Sequence, residues 1–188
     1  MPHSLEILVN DFAIRCFRET ADKDYIAARM AYRARLIQPY LWSALHSLEK
    51  YMKGVLLLNR VRAHKGHKVL PGVERMKQSG KFELDLSGET VEFIKTLEEF
   101  GAEYRYYEVS YHTRPYDIVR LDRAVWELRR YCQPLDYDTV VNGEVLNMLA
   151  HELDRIHGAK ARKEKGTCVR SGVWYVPGLV DVYSGRVG

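Results

Sequence analysis

The densest set of side chains able to handle a phosphate lies between Arg60 and Lys68, where Arg60, Arg62, His64, Lys65, His67 and Lys68 follow one another closely. Guanidinium and ammonium groups hold phosphate oxygens and stabilise negative charge that develops on them. An imidazole can move the proton of a ribose 2′-hydroxyl. The same residues would also suit a solvated helix end whose cations complement the helix dipole, and both readings stay open at this level. Arg105, Tyr106 and His112 form a second, looser set within a tyrosine-rich stretch. A further basic run, Lys160, Arg162, Lys163 and Lys165, is broken by Glu164 and reads as a solvated connector, with nonspecific nucleic-acid contact as its alternative.

Other chemistries lack their residues. His151 and Glu152 begin like a zincin helix, but Arg155 stands where the second histidine would be needed, so no metal site of that kind is expected. There is no glycine-rich phosphate loop of the Walker type and no GxSxG nucleophile signature. Cys16, Cys132 and Cys168 lie far apart and form no CxxC pair, which argues against a zinc knuckle or a disulfide framework and for a reducing cytoplasm. No cofactor and no metal is expected. The amphipathic N-terminus carries Glu6 and Asp11 within its apolar stretch, unlike a signal peptide. No run of about 18 apolar residues exists to span a membrane. The formal net charge of +4 permits nucleic-acid contact without demanding it.

The elements that must position these groups are helical. With 188 residues, 46% of them hydrophobic and 29% charged, the chain can bury a core of its own. Asp24 to Leu36 is alanine-rich and helix-favouring, and Gln38-Pro39 is expected to break it. From Tyr40 to Asn59 the apolar residues Leu41, Ala44, Leu45, Leu48, Met52, Val55 and Leu56 recur at steps of three and four. That stripe predicts an amphipathic helix with Glu49, Lys50 and Lys53 elsewhere on its surface and Gly66 as a stop. Glu49 and Lys50 are expected to be a surface pair rather than a buried or dimer-facing one. A short helix around Val73 to Met76 comes next. Ser87 is placed to cap a helix from Gly88 to Phe100, with Val91, Ile94 and Leu97 inward. Glu103 to Tyr116 lacks periodicity and reads as a loop. Asp117 to Cys132 predicts a helix facing inward with Ile118, Leu121, Val125, Leu128 and Cys132. Asn142 is read as the cap of a last helix, Gly143 to His157, facing inward with Leu146, Leu149, Leu153 and Ile156 and ended by Gly158. The tail from Thr167, rich in β-branched and aromatic residues, suits two short strands or an extended arm.

Several of these pieces resemble, in order and spacing, the HEPN family (higher eukaryotes and prokaryotes nucleotide-binding domain). Leu41 to Asn59 followed by Gly66 to Leu70 is similar to the family's second helix: Ala44, the Glu49-Lys50 pair, Lys53, Leu56 to Leu58, then Gly66, His67, Val69 and Leu70. Asp24 to Arg33 resembles the first helix, Leu86 to Glu108 with its Arg105-Tyr106 pair the third, and Asp117 to Cys132 the fourth, so the likeness covers roughly residues 20 to 132. Tyr107 replaces the proline that commonly follows the Arg-Tyr pair.

The resemblance implies an all-α, up-and-down bundle of four or five helices; with the last helix and tail, which lie outside the resemblance, the chain reads as a bundle over residues 1–160 followed by a basic linker and an extended or β-hairpin-like tail over 161–188. It further implies a homodimer, and some family members partner small nucleotidyltransferases. Together with the basic patch, the expectation is a module that contacts nucleotide or RNA phosphate through Lys53, Arg60, Arg62, Lys65, His67, Arg105 and Tyr106, with a nucleotidyltransferase as a candidate partner. The family's ribonuclease motif is an arginine, four to six residues, then a histidine. Arg60 and Arg62 meet that spacing with His67, and Arg105 meets it with His112. Arg105 and His112 precede the fourth helix, nearer the motif's usual place, and are the pair expected to act if the chain is a metal-independent, toxin-like ribonuclease. A bundle that only binds partner proteins is the third expectation, because a fold does not choose an activity.

Overall fold

The computed structural model describes residues 5–63, 65–100 and 116–164. The helices run in chain order as α1 (Leu5–Ala13), a π-helical turn (Ile14–Arg18), α2 (Glu19–Arg33), α3 (Ile37–Leu58), α4 (Leu70–Gln78), α5 (Gly88–Phe100) and α6 (Asp117–Arg129). A two-stranded hairpin, β1 (Asp138–Val141) and β2 (Glu144–Asn147), precedes α7 (Leu149–Glu164). No described helix is long and apolar enough to cross a membrane.

The centre of the bundle is α3, which packs against α2, α4, α5, α6 and α1. All seven residues of its expected stripe are buried, and Tyr40 and Tyr51 are buried with them. Burial on this scale is the main force for folding, at roughly 1.5–3 kcal/mol for each fully buried large apolar side chain. From α6, Leu121, Val125, Leu128 and the following Cys132 join this core, and α5 adds Phe93, Ile94 and Leu97. Phe93 takes the inward place expected for Val91, which is only partly buried.

Two polar networks tie α2 to the rest. Asp22 accepts hydrogen bonds from Tyr51 (2.5 Å) on α3 and from Arg129 Nε (2.7 Å) and Nη2 (2.9 Å) on α6. Asp122 on α6 accepts from Tyr25 (2.7 Å) and Arg29 (2.7 Å) on α2. Burial alone would raise the Asp22 carboxyl, but its bonds from Arg129 and Tyr51 outweigh that and hold it below its ordinary value. The tight seat of α3 against the π-helical turn needs Gly54, where a Cβ would stand 2.8 Å from Cys132 Sγ and 3.3 Å from Phe17 Cβ.

Several boundaries differ from expectation for local reasons. The first long helix ends at Arg33, not Leu36, and α3 starts at Ile37, so Pro39 lies inside its first turn. There a missing N–H costs nothing, because first-turn amides have no helical partner. The α3 helix stops at Leu58, well before Gly66, because Arg60 takes the left-handed conformation (φ 58°) and Val61 N–H donates to Leu56 O.

The last expected helix needs the largest correction. Asn142 does not cap a helix; with Gly143 it forms the tip of the β1–β2 hairpin, both at positive φ (53° and 86°), and Val141 pairs with Glu144. Two such central residues match the strand twist, which is why Asn-Gly favours this turn. Leu146 therefore sits exposed on β2 instead of facing a core, and Asn147 Oδ1 accepts from Leu149 N–H at the true helix start. The helix also passes through Gly158 to Glu164, since the helix-favouring residues around one glycine offset its cost of about 1 kcal/mol. Ile156, as expected, is buried. The tail from Thr167, expected to form two short strands or an extended arm, lies outside the described residues.

Candidate functional site

Trp42, His46, Glu49 and Lys53 lie at steps of four, three and four along α3, which puts them on one flank of the helix beside its apolar stripe. His67 arrives from the α3–α4 connection. Gly66 carries the φ of 127° that turns this connection, a value that suits a residue without Cβ. His67 Nδ1 stands 3.1 Å from Glu49 Oε2, and Lys53 Nζ donates to Glu49 Oε1 at 2.6 Å. Glu49 is 5% exposed, so both contacts serve a carboxylate removed from water.

This corrects the expectation of a surface Glu49-Lys50 pair. The buried carboxylate pairs one turn along with Lys53, whereas Lys50 pairs with Asp24 on α2 (2.5 Å). Helical periodicity assigns a lone glutamate to solvent because burying an unpaired charge is costly. It could not supply the partner that comes from the loop.

Three rings gather at the same place. The Trp42 and His46 centroids are 3.9 Å apart, and His67 lies 6.4 Å from Trp42 and 6.2 Å from His46. Partial burial lowers the His46 imidazole below its ordinary value and favours its neutral form. Neither Trp42 nor His46 stands out in the sequence. The available signal was their shared flank with Glu49 and Lys53.

The loop carrying His67 is pinned at several points. Val69 is buried, and Glu98 of α5 accepts the backbone N–H groups of Val69 and of Leu70 (2.9 Å), placing a carboxylate at the start of α4. Close approach of α4 to α3 relies on Gly72, where a Cβ would be 2.5 Å from Met52 Cγ. Arg75 donates to Arg62 O at 3.0 Å. Arg60 Nη1 caps its own helix through Leu57 O and Leu58 O, and its Nη2 donates to Asn10 Oδ1 (2.9 Å) and Glu6 O (3.3 Å) on α1. Arg62, Lys65 and Lys68 are exposed on the same loop.

Of the site residues expected from sequence, Lys53 and His67 thus meet at Glu49, Arg60 fastens α1 to the end of α3, and Arg62 and Lys65 face solvent nearby. Arg105, Tyr106, His112 and His64 lie outside the described residues.

No curated protein and no solved structure matches this chain. A family model does: that of the HEPN domain, over residues 14–140, which takes in α2 to α6 and every residue of the cluster around Glu49. A match of that extent, on a helical bundle whose second long helix carries the expected stripe and Gly-His loop, establishes that the chain belongs to the HEPN family.

Proposed function

We propose that this HEPN chain is a dimeric module that binds the phosphate and base of RNA or a nucleotide on the face formed by α3 and the α3–α4 loop. The observation that carries this reading is the pairing of two features in one place. Arg62, Lys65 and Lys68 are exposed on a loop whose His67 packs beside the Trp42 and His46 rings. Cations that track phosphates beside flat rings on which bases stack are the usual means of holding single-stranded nucleic acid. Pinning of the loop by Val69, Glu98 and Arg75 supports the reading, because a fixed loop loses little entropy when a ligand binds.

Titration of the purified chain with a labelled single-stranded RNA and, separately, with a nucleoside triphosphate tests the proposal. Saturable binding that weakens with added salt is expected, with quenching of tryptophan emission as Trp42 is approached. Absence of binding to either ligand would leave only the protein-interaction reading.

The surface assigned to dimerisation is the stripe Leu5, Leu8 and Phe12 on α1, whose members are between 52% and 75% exposed. Contiguous apolar residues in water favour contact with another surface. The combined substitution Leu8→Glu and Phe12→Glu should convert a dimer to a monomer in sedimentation equilibrium without loss of helical circular dichroism. A wild-type chain that sediments as a monomer at high concentration would refute this assignment.

A further inference from the structure

We propose that His46, Glu49 and His67 form a binding site for a divalent transition-metal ion, with zinc the best fit to its donors. One donor atom from each of these residues lies within 4.8 Å of the other two. Two imidazoles and one carboxylate are a common zinc-binding set in which a fourth position is left for water or a ligand. The same set suits other first-row divalent ions that favour nitrogen and oxygen, and excludes magnesium and calcium, which favour oxygen alone.

The arrangement goes beyond an ordinary glutamate–histidine hydrogen bond. Such a bond needs only His67. His46 is a third donor turned to the same point from the preceding turn of α3, with its ring held at 3.9 Å from that of Trp42. Lys53 holds Glu49 Oε1, which fixes the carboxylate so that Oε2 faces His67. That is the orienting role outer groups play around metal ligands. The lysine charge also opposes a second cation and makes the site weaker than the same ligands alone.

Ligands around tetrahedral zinc stand about 3.3 Å apart, given metal–ligand distances of about 2.0–2.1 Å. Closing from 4.8 Å asks for a small adjustment of the side chains, and His67, already 3.1 Å from Glu49 and with 60% of its side chain exposed, has room to make it. That exposure also leaves the outer side of the site open to water or a phosphate oxygen. The site shares the His46 and His67 rings with the proposed base-binding face, but its ligands do not include Arg62, Lys65 and Lys68, the exposed cations of the phosphate reading.

The full-length chain, stripped with EDTA and dialysed, is titrated with Zn2+ by calorimetry and with Co2+ as an absorbance probe. One ion per chain and the visible bands of low-symmetry Co2+ are expected. His46→Ala and His67→Ala should each weaken binding by about 100-fold or more, because losing a ligand costs at least as much as losing its support. His67→Cys, which keeps a donor, should retain it, as should Arg62→Glu with Lys65→Glu, so failure of this site and failure of the phosphate site are distinguishable. The exposed position of His67 lets its variants fold, which helical circular dichroism checks. Absence of stoichiometric Zn2+ binding, or wild-type affinity in both alanine variants, would overturn the proposal.

Discussion

Replacing Asp22 with alanine is expected to destabilise the chain by about 3–5 kcal/mol, because it leaves a largely buried guanidinium without its carboxylate. In a protein of this size that corresponds to a loss of about 6–20 °C in Tm. Arg129 would lose both its bonds to the carboxylate, and the Tyr51 hydroxyl, buried on α3, would lose its acceptor. The cost comes from stranded polar groups more than from a lost attraction. Replacing Asp22, Tyr51 and Arg129 together by leucine, phenylalanine and methionine should therefore cost less than the single alanine. Urea unfolding of the two variants decides it, and a single variant within 1 kcal/mol of wild type would disprove the role given to Asp22.

The same residue predicts the response to acid. Asp22 is held below its ordinary carboxyl value of 3.8 in the folded chain. Its contribution to stability is thus fully present above the unfolded value and is lost as pH falls through the lower folded value. Wild type should lose stability below about pH 4 more steeply than Asp22→Asn.

How far such features are legible from sequence differs by element. The stripe on α3 is legible because one helix face meets the core along its whole length, and spacing alone records that. Asn142 reads as a helix cap because asparagine serves two local structures equally well, a cap and a left-handed turn. The signal that decides between them is the β-branched run Thr139-Val140-Val141 before the Asn-Gly pair. Glu49 reads as a surface residue for a different reason. Its burial depends on Lys53, within reach on the same helix, and on His67, which only the folded loop delivers. The Tyr51–Asp22–Arg129 network joins residues 29 and 107 positions apart, beyond any local pattern. In the candidate site the basic loop is legible as composition, and the approach of its His67 to Trp42 and His46 is not.

Reversing the charges on that loop should have the largest effect on binding. With Arg62, Lys65 and Lys68 all changed to glutamate, affinity for single-stranded RNA is expected to fall by about 100-fold or more, since each cation that neutralises a phosphate is replaced by a repelling charge. The salt dependence is more diagnostic than the affinity. Three phosphate contacts on a single strand give a slope of log affinity against log salt near −2, so wild-type binding should weaken about 20-fold between 50 and 200 mM salt. The variant's residual binding should be almost flat over that range, because no released counterions remain to drive it. All three side chains project into solvent, so the variant should keep wild-type helicity and Tm, and any loss belongs to the ligand contact. Trp42→Ala would act on the other component: weaker binding with an unchanged salt slope, since a stacked base contributes no counterion release. A triple variant that binds RNA within twofold of wild type, with the same slope, would move the phosphate contact away from this loop.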